Sequence, residues 1–131
     1  MERRLVSSGS PYEAIVGFSR AVRVGERVFV AGTAPVMADG ADPPADAYAQ
    51  TKRCLEIIEA ALGEAGATLG DVVRTRTYLV DPAHFDGYAR AHGEAFREVR
   101  PANTTVVARL LDPRWLVEIE AEAVVGAYER E

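Results

Sequence analysis

The 131 residues carry 48% hydrophobic side chains and a formal net charge of −5. That length and composition predict one folded domain spanning 1–131 and exclude a disordered chain. The acidic balance opposes nucleic-acid binding, and no apolar run approaches the length of a membrane span. The first residues, Met1-Glu2-Arg3-Arg4-Leu5-Val6, lack the apolar core of a signal peptide, so a cytoplasmic location is expected. A single cysteine, Cys54, allows no internal disulfide and fits a reducing compartment; on a helix it reads as a small hydrophobe. Fourteen of the fifteen basic residues must be arginines, since Lys52 is the lone lysine.

In chain order, residues 3–7 suit a short edge strand, followed by a turn at Gly9-Ser10-Pro11. Residues 19–24 and 27–32 are rich in β-branched and aromatic side chains, and Gly25-Glu26 between them predicts a two-residue hairpin. Residues 37–45 form the one loop-like stretch, broken by Asp39-Gly40 and Pro43-Pro44. Asp46 then caps a helix reaching about Ala65, with Ala47, Cys54, Leu55, Ile58, Ala61, Leu62 and Ala65 on one face and Gly66 as its stop.

Residues 72–80 alternate as a strand, and Asp81-Pro82 starts a second helix with Phe85, Tyr88, Ala89, His92 and Phe96 on its apolar face. Two further strands are expected at 103–110 and 116–125. The expected fold class is α+β: one mixed sheet of about six strands with two helices on one face. The other sheet face is left bare, which predicts burial against a partner.

Four segments in this order resemble the RidA/YjgF/UK114 family: Val28-Phe29-Val30-Ala31-Gly32-Thr33-Ala34-Pro35, Gly70-Asp71-Val72-Val73-Arg74-Thr75, Arg100-Pro101-Ala102, and Val117-Glu118-Ile119-Glu120-Ala121. The resemblance covers about Gly17 to Val125. It implies a YjgF/chorismate-mutase-like fold, a homotrimer with ligand clefts between subunits, and hydrolysis of enamines or imines such as 2-aminoacrylate to 2-keto acids and ammonia. In deaminating members an arginine holds the substrate carboxylate, and a tyrosine, a serine and a glutamate orient water and substrate. Here the arginine position reads Asn103, or Ala102 when counted back from Ala108-Arg109-Leu110 with a one-residue gap. The tyrosine position reads Phe18 and the serine position Ala31; the glutamate is kept as Glu118. The resemblance therefore points to an arginine-lacking branch of the family.

Glu118 is the candidate catalytic acid or base, against the plain alternative of a solvated strand face shared with Glu120 and Glu122. Arg74 and Arg76 share a face with Tyr78. They either pair with the last strand's carboxylates, or Arg76 takes over the carboxylate clamp. Phe18, Ala31, Asn103, Thr104 and Thr105 complete the candidate substrate-binding set, the last three offering neutral donors and acceptors. His92 is either a hydrogen-bonded core residue or a catalytic group. No metal-ligand spacing and no phosphate loop is present, so neither metal nor cofactor is expected. The expected ligand is a small carbonyl, imine or enamine compound. A non-catalytic ligand-binding trimer and an RNA-cleaving enzyme are the rival readings.

Overall fold

The computed structural model describes residues 2–128. Strand β1 (Arg3–Val6) is followed by a short helix, α1 (Pro11–Val16), then by β2 (Ala21–Val24) and β3 (Arg27–Thr33). Helix α2 (Ala47–Glu64), β4 (Val72–Leu79), α3 (Phe85–Phe96), β5 (Ala102–Val107) and β6 (Val117–Val124) complete the chain order. The strands form one mixed sheet in the order β1-β2-β3-β6-β4-β5. Every neighbouring pair is antiparallel except β4 and β5, which run parallel with α3 as their crossover.

Alternation along β6 separates the two faces. Val117, Ile119, Ala121 and Ala123 are buried, whereas Glu118, Glu120 and Glu122 are half-exposed on the other side. Both long helices pack on the apolar face, where Cys54, Ile58 and Leu62 of α2 and Tyr88 and Phe96 of α3 join the same core. Cys54 is fully buried, with its sulfur 3.9 Å from the Val117 carbonyl, and burial pushes its thiol pKa up. It is a core residue.

The caps behave as the side chains dictate. Asp46 accepts from the Ala49 N–H at the start of α2, and Gly66 takes the left-handed conformation (φ 85°) just beyond its end. Fully buried Gln50 ties α2 to two loops at once. Its Nε2 donates to the Pro44 and Arg114 carbonyls at 2.8 and 2.9 Å, and its Oε1 accepts from the Leu116 N–H at 2.7 Å.

Three local expectations need correction. The turn expected at Gly9-Ser10-Pro11 is the entry to α1: Ser10 caps it by accepting from the Tyr12 N–H, Pro11 opens it, and Gly17 (φ 87°) ends it. With six residues and an exposed apolar surface at Ile15 and Val16, α1 has no face long enough to register as periodic. Asp81-Pro82 caps a 3-10 turn, Pro82–His84, and the α-helix proper begins at Phe85, itself half-exposed rather than core. Finally, β5 ends at Val107 rather than 110, because the chain then leaves the sheet for the loop that leads to β6.

Candidate functional site

On the face away from the helices, β4 and β6 set three cross-strand pairs: Arg74 opposite Glu122, Arg76 opposite Glu120, and Tyr78 opposite Glu118. The first two are ion pairs, with Arg74 Nε 3.6 Å from Glu122 and Arg76 Nη1 3.0 Å from Glu120. The third breaks the pattern. Tyr78 gives its hydroxyl to Glu120 at 3.3 Å, and Glu118 makes no hydrogen bond or ion pair among the described residues.

Glu118 is nonetheless half-buried. Burial raises its pKa, the Arg20 charge opposes that rise, and the neighbouring Glu120 adds to it. Its carboxylate lies against Gly32, in the stretch of β3 where the register with β6 slips between Val30 and Thr33. Gly32, Tyr78, Glu118 and Glu120 line a cleft of about 280 Å³ together with Ala108, Arg109, Leu110 and Leu111 of the β5–β6 loop. Arg109 is exposed there and has no partner among the described residues.

Beside Gly32 sits an arginine that the sequence reading passed over. Arg20 is only 7% exposed. Its Nη1 donates to the Gly32 carbonyl at 2.7 Å and to Thr33 Oγ1 at 3.1 Å, and its guanidinium lies 5.2 Å from the centre of the Phe18 ring. Buried Glu13 of α1, held by the Ser8 N–H at 3.0 Å and Ser8 Oγ at 2.5 Å, is the nearby counter-charge. The available signals were the charged residue beside alternating Ala21-Val22 and a glycine inside a strand.

The fold thus brings Phe18, Ala31 and Glu118 into one neighbourhood through Arg20 and Gly32, with Ala31 giving its N–H to the Arg20 carbonyl. Arg76 lies on the same sheet face but is engaged by Glu120, and Thr104 is its register partner on edge strand β5. Asn103 and Thr105 are not with them. They point to the helix side, where Asn103 Nδ2 donates to Thr75 Oγ1 and Tyr88 Oη at 3.0 Å each and Thr105 Oγ1 donates to Asn103 Oδ1 at 3.0 Å.

The same network takes in His92, whose Nε2 lies 2.9 Å from Thr75 Oγ1. Burial lowers the His92 pKa to about 4, so the ring is neutral at physiological pH. Among the described residues, no group of three or more histidine, cysteine or acidic side chains is placed to hold a metal ion. No helix among them is long and apolar enough to cross a membrane.

Residues 9–125 match the family described as Endoribonuclease L-PSP. An uncharacterised protein of Streptomyces coelicolor is 42% identical over 125 residues, covering 95% of this chain and 93% of that one. A RutC family protein of Pyrococcus abyssi is 36% identical, covering 94% of this chain and 98% of its own length. The chain belongs to the YjgF/RutC/L-PSP family. Among solved structures, a Mycobacterium tuberculosis member of the YjgF/YER057c/UK114 family superposes with a TM-score of 0.87 at 47% identity, over 95% of this chain and all of that one. Escherichia coli TdcF with bound serine superposes with a TM-score of 0.77 at 27% identity, covering 92% and 93% of the two chains.

Proposed function

We propose that this family member hydrolyses a small imine, enamine or related carbonyl compound in clefts formed between the subunits of a homotrimer, with Glu118 as the acid–base group. The observation that carries the reading is the unpaired Glu118 carboxylate. Of three glutamates on one strand face, two stand opposite arginines, and only Glu118 keeps its oxygens free over a cleft. A half-buried carboxylate with a raised pKa is suited to taking and returning a proton near neutral pH.

For an imine the chemistry is the addition of water. Glu118 removes a proton from water as its oxygen bonds to the imine carbon, and gives that proton to nitrogen as the C=N electron pair moves there, which leaves Glu118 ionised again. In the collapse of the resulting carbinolamine, the hydroxyl proton returns to Glu118 and passes to the amine as the C–N bond breaks. The net change is imine plus water to carbonyl compound plus ammonia, with no redox step and no cofactor.

The serine bound to Escherichia coli TdcF is a zwitterion, which supports a ligand that presents nitrogen and carboxylate together. In this chain Asn103 cannot act as a bidentate cation toward that carboxylate, and it is committed to Tyr88 and Thr75. This supports assigning the protein to an arginine-lacking branch of the family. Simple 2-imino acids such as that from 2-aminoacrylate are expected to be poor substrates. Arg109, unpartnered at the cleft, is the available charge for an anionic group, whereas Arg76 is held by Glu120. Phe18 and Ala31 replace polar groups with apolar ones, which favours a less polar substrate. Thr104, on the Arg76 face of edge strand β5, is the polar group of that strand available to a cleft completed by a neighbouring subunit, whereas Asn103 and Thr105 face Thr75 and Tyr88.

The charged sheet face and exposed Phe29 form the surface proposed to meet the other subunits. An acidic pI of about 5.1 opposes an RNA substrate and an anionic membrane partner. The test is twofold. Sedimentation equilibrium is expected to give a trimer at micromolar concentration. A panel of imines and enamines, monitored by ammonia release, is expected to contain at least one compound whose hydrolysis the protein accelerates. A monomer, or a panel with no acceleration, would defeat the reading.

A further inference from the structure

We infer that Arg20 is the positioning residue of this site: it fixes the Gly32 peptide against which Glu118 lies, and it sets a buried positive charge beside that carboxylate without pairing to it. The inference rests on the reading that Glu118 is the reacting group. A buried arginine is costly to desolvate, and this one leaves its Nε without a partner among the described residues. Fold stability alone gives no reason to keep an incompletely bonded guanidinium there. The place of its bonds does.

Nη1 holds both the Gly32 carbonyl and Thr33 Oγ1, and Thr33 Oγ1 in turn donates to the Ala31 carbonyl at 2.8 Å. These are the residues in which β3 slips register against β6, where the ladder alone no longer dictates the orientation of the peptide groups. Arg20 Nη1 therefore fixes the irregular stretch of β3 on which the Glu118 carboxylate rests. Phe18 lies against the guanidinium at 5.2 Å, and buried Glu13, with its Oε2 held by Ser8, stabilises the charge through space.

Separation is the second part of the argument. No ion pair within 4.0 Å joins Arg20 to Glu118, so the charge acts through space while the carboxylate oxygens stay free for water and ligand. A direct pair would occupy the lone pairs and hold the group permanently ionised. The other charged or titratable groups around Glu118 are Glu120 on its own strand, Tyr78 and Arg76 on β4, Arg109 in the β5–β6 loop, and Cys54 across the sheet. Of these, Arg76 is committed to Glu120, which leaves Arg20 as the buried cation beside Glu118.

The experiment is an NMR titration of the glutamate side-chain carboxyl carbons in the full chain, which needs no substrate. Arg20→Gln is expected to move the midpoints of Glu118 and Glu13, the two carboxylates that Arg20 acts on, upward while the other glutamates stay near their native values, and Arg20→Lys, which keeps the charge, to hold Glu118 close to its native midpoint. If Arg20→Gln does not fold, the double variant Arg20→Met/Glu13→Gln removes the buried charges together, and the same upward movement is expected, since Glu13 is not among the groups acting on Glu118. An unmoved Glu118 midpoint in either folded variant, with only a lower melting temperature, would make Arg20 a purely structural clamp and overturn the inference. Failure of the catalytic reading would show separately, as unchanged turnover in Glu118→Gln.

Discussion

The Glu118 carboxylate occupies the space into which a side chain at Gly32 would project, so the two residues fit together only because position 32 has no Cβ. Gly32 has an ordinary backbone conformation, and the atom in the way is the tip of a flexible side chain. Gly32→Ala is therefore expected to keep the fold and to lose less than about 1 kcal/mol of stability, while displacing the carboxylate. Turnover or ligand affinity should fall by roughly 10- to 100-fold, read beside a melting curve. Unchanged function would mean that the carboxylate works equally well from another position.

Gln50 predicts the reverse pattern. It holds three backbone groups, at Pro44, Arg114 and Leu116, from a fully buried position. Gln50→Leu leaves those groups unpaired and is expected to cost about 2–5 kcal/mol, measured by denaturant unfolding. Because the staple anchors the chain just before β6, the surviving folded protein should show faster amide exchange through the β5–β6 loop that carries Arg109.

His92 gives a pH dependence whose sign is fixed by burial. Its pKa falls from 6.5 in the unfolded chain to about 4 in the fold, so the unfolded state binds the proton more readily. The stability contributed by the neutral ring is fully present above pH 6.5, declines as the pH falls, and is lost by about pH 4. After allowance for the ring's partial exposure, the loss across that window should be on the order of 1–2 kcal/mol. His92→Gln, which can still meet Thr75, should flatten the melting-temperature profile between pH 6.5 and 4. Glu118 works in the opposite sense. Its raised pKa favours the fold at low pH, and that contribution is lost as the pH rises through the folded value.

The network joining Asn103, Tyr88, Thr75 and Thr77 should act as a unit. Tyr88 Oη accepts from Asn103 Nδ2 and Thr77 Oγ1 at 3.0 and 2.9 Å and shares a hydrogen bond with Thr105 at 3.1 Å. Tyr88→Phe and Asn103→Ala are each expected to cost about 1–2 kcal/mol. The double variant should cost less than the two added together, because each removes a partner of the other. Strict additivity in a double-mutant cycle would show that the contacts are independent.

Much of the fold was legible because it is written in periodicity and punctuation. The apolar stripe of α2 bounded by Asp46 and Gly66, the Gly25-Glu26 hairpin, and the alternation of β4 and β6 appear in the structure with boundary shifts of a few residues. Helix α1 escaped, since six residues with an exposed apolar surface leave no periodic signal. In the site, strand parity sets Glu118 on the face away from the helices and leaves Arg76 between two readings. The structure engages it with Glu120. The resemblance sets Asn103 at the family's arginine position, and Thr105 joins it there as a neutral donor and acceptor. Strand parity and the parallel register with β4 instead turn them toward Thr75 and Tyr88. Arg20 was invisible because its role depends on an irregularity in β3, and a register slip has no pattern in a single sequence beyond the lone glycine.

The most direct test of the account is turnover of an accelerated imine or enamine by Glu118→Gln beside Glu120→Gln, each with its melting temperature. The amide keeps the shape and the hydrogen bonds of the carboxylate but cannot take and return a proton. Glu118→Gln is expected to remain folded with turnover reduced by ~10²–10⁴-fold, while Glu120→Gln, which loosens the Arg76 pair, changes turnover far less. Near-normal turnover in a folded Glu118→Gln protein would contradict the assignment of Glu118 as the acid–base group.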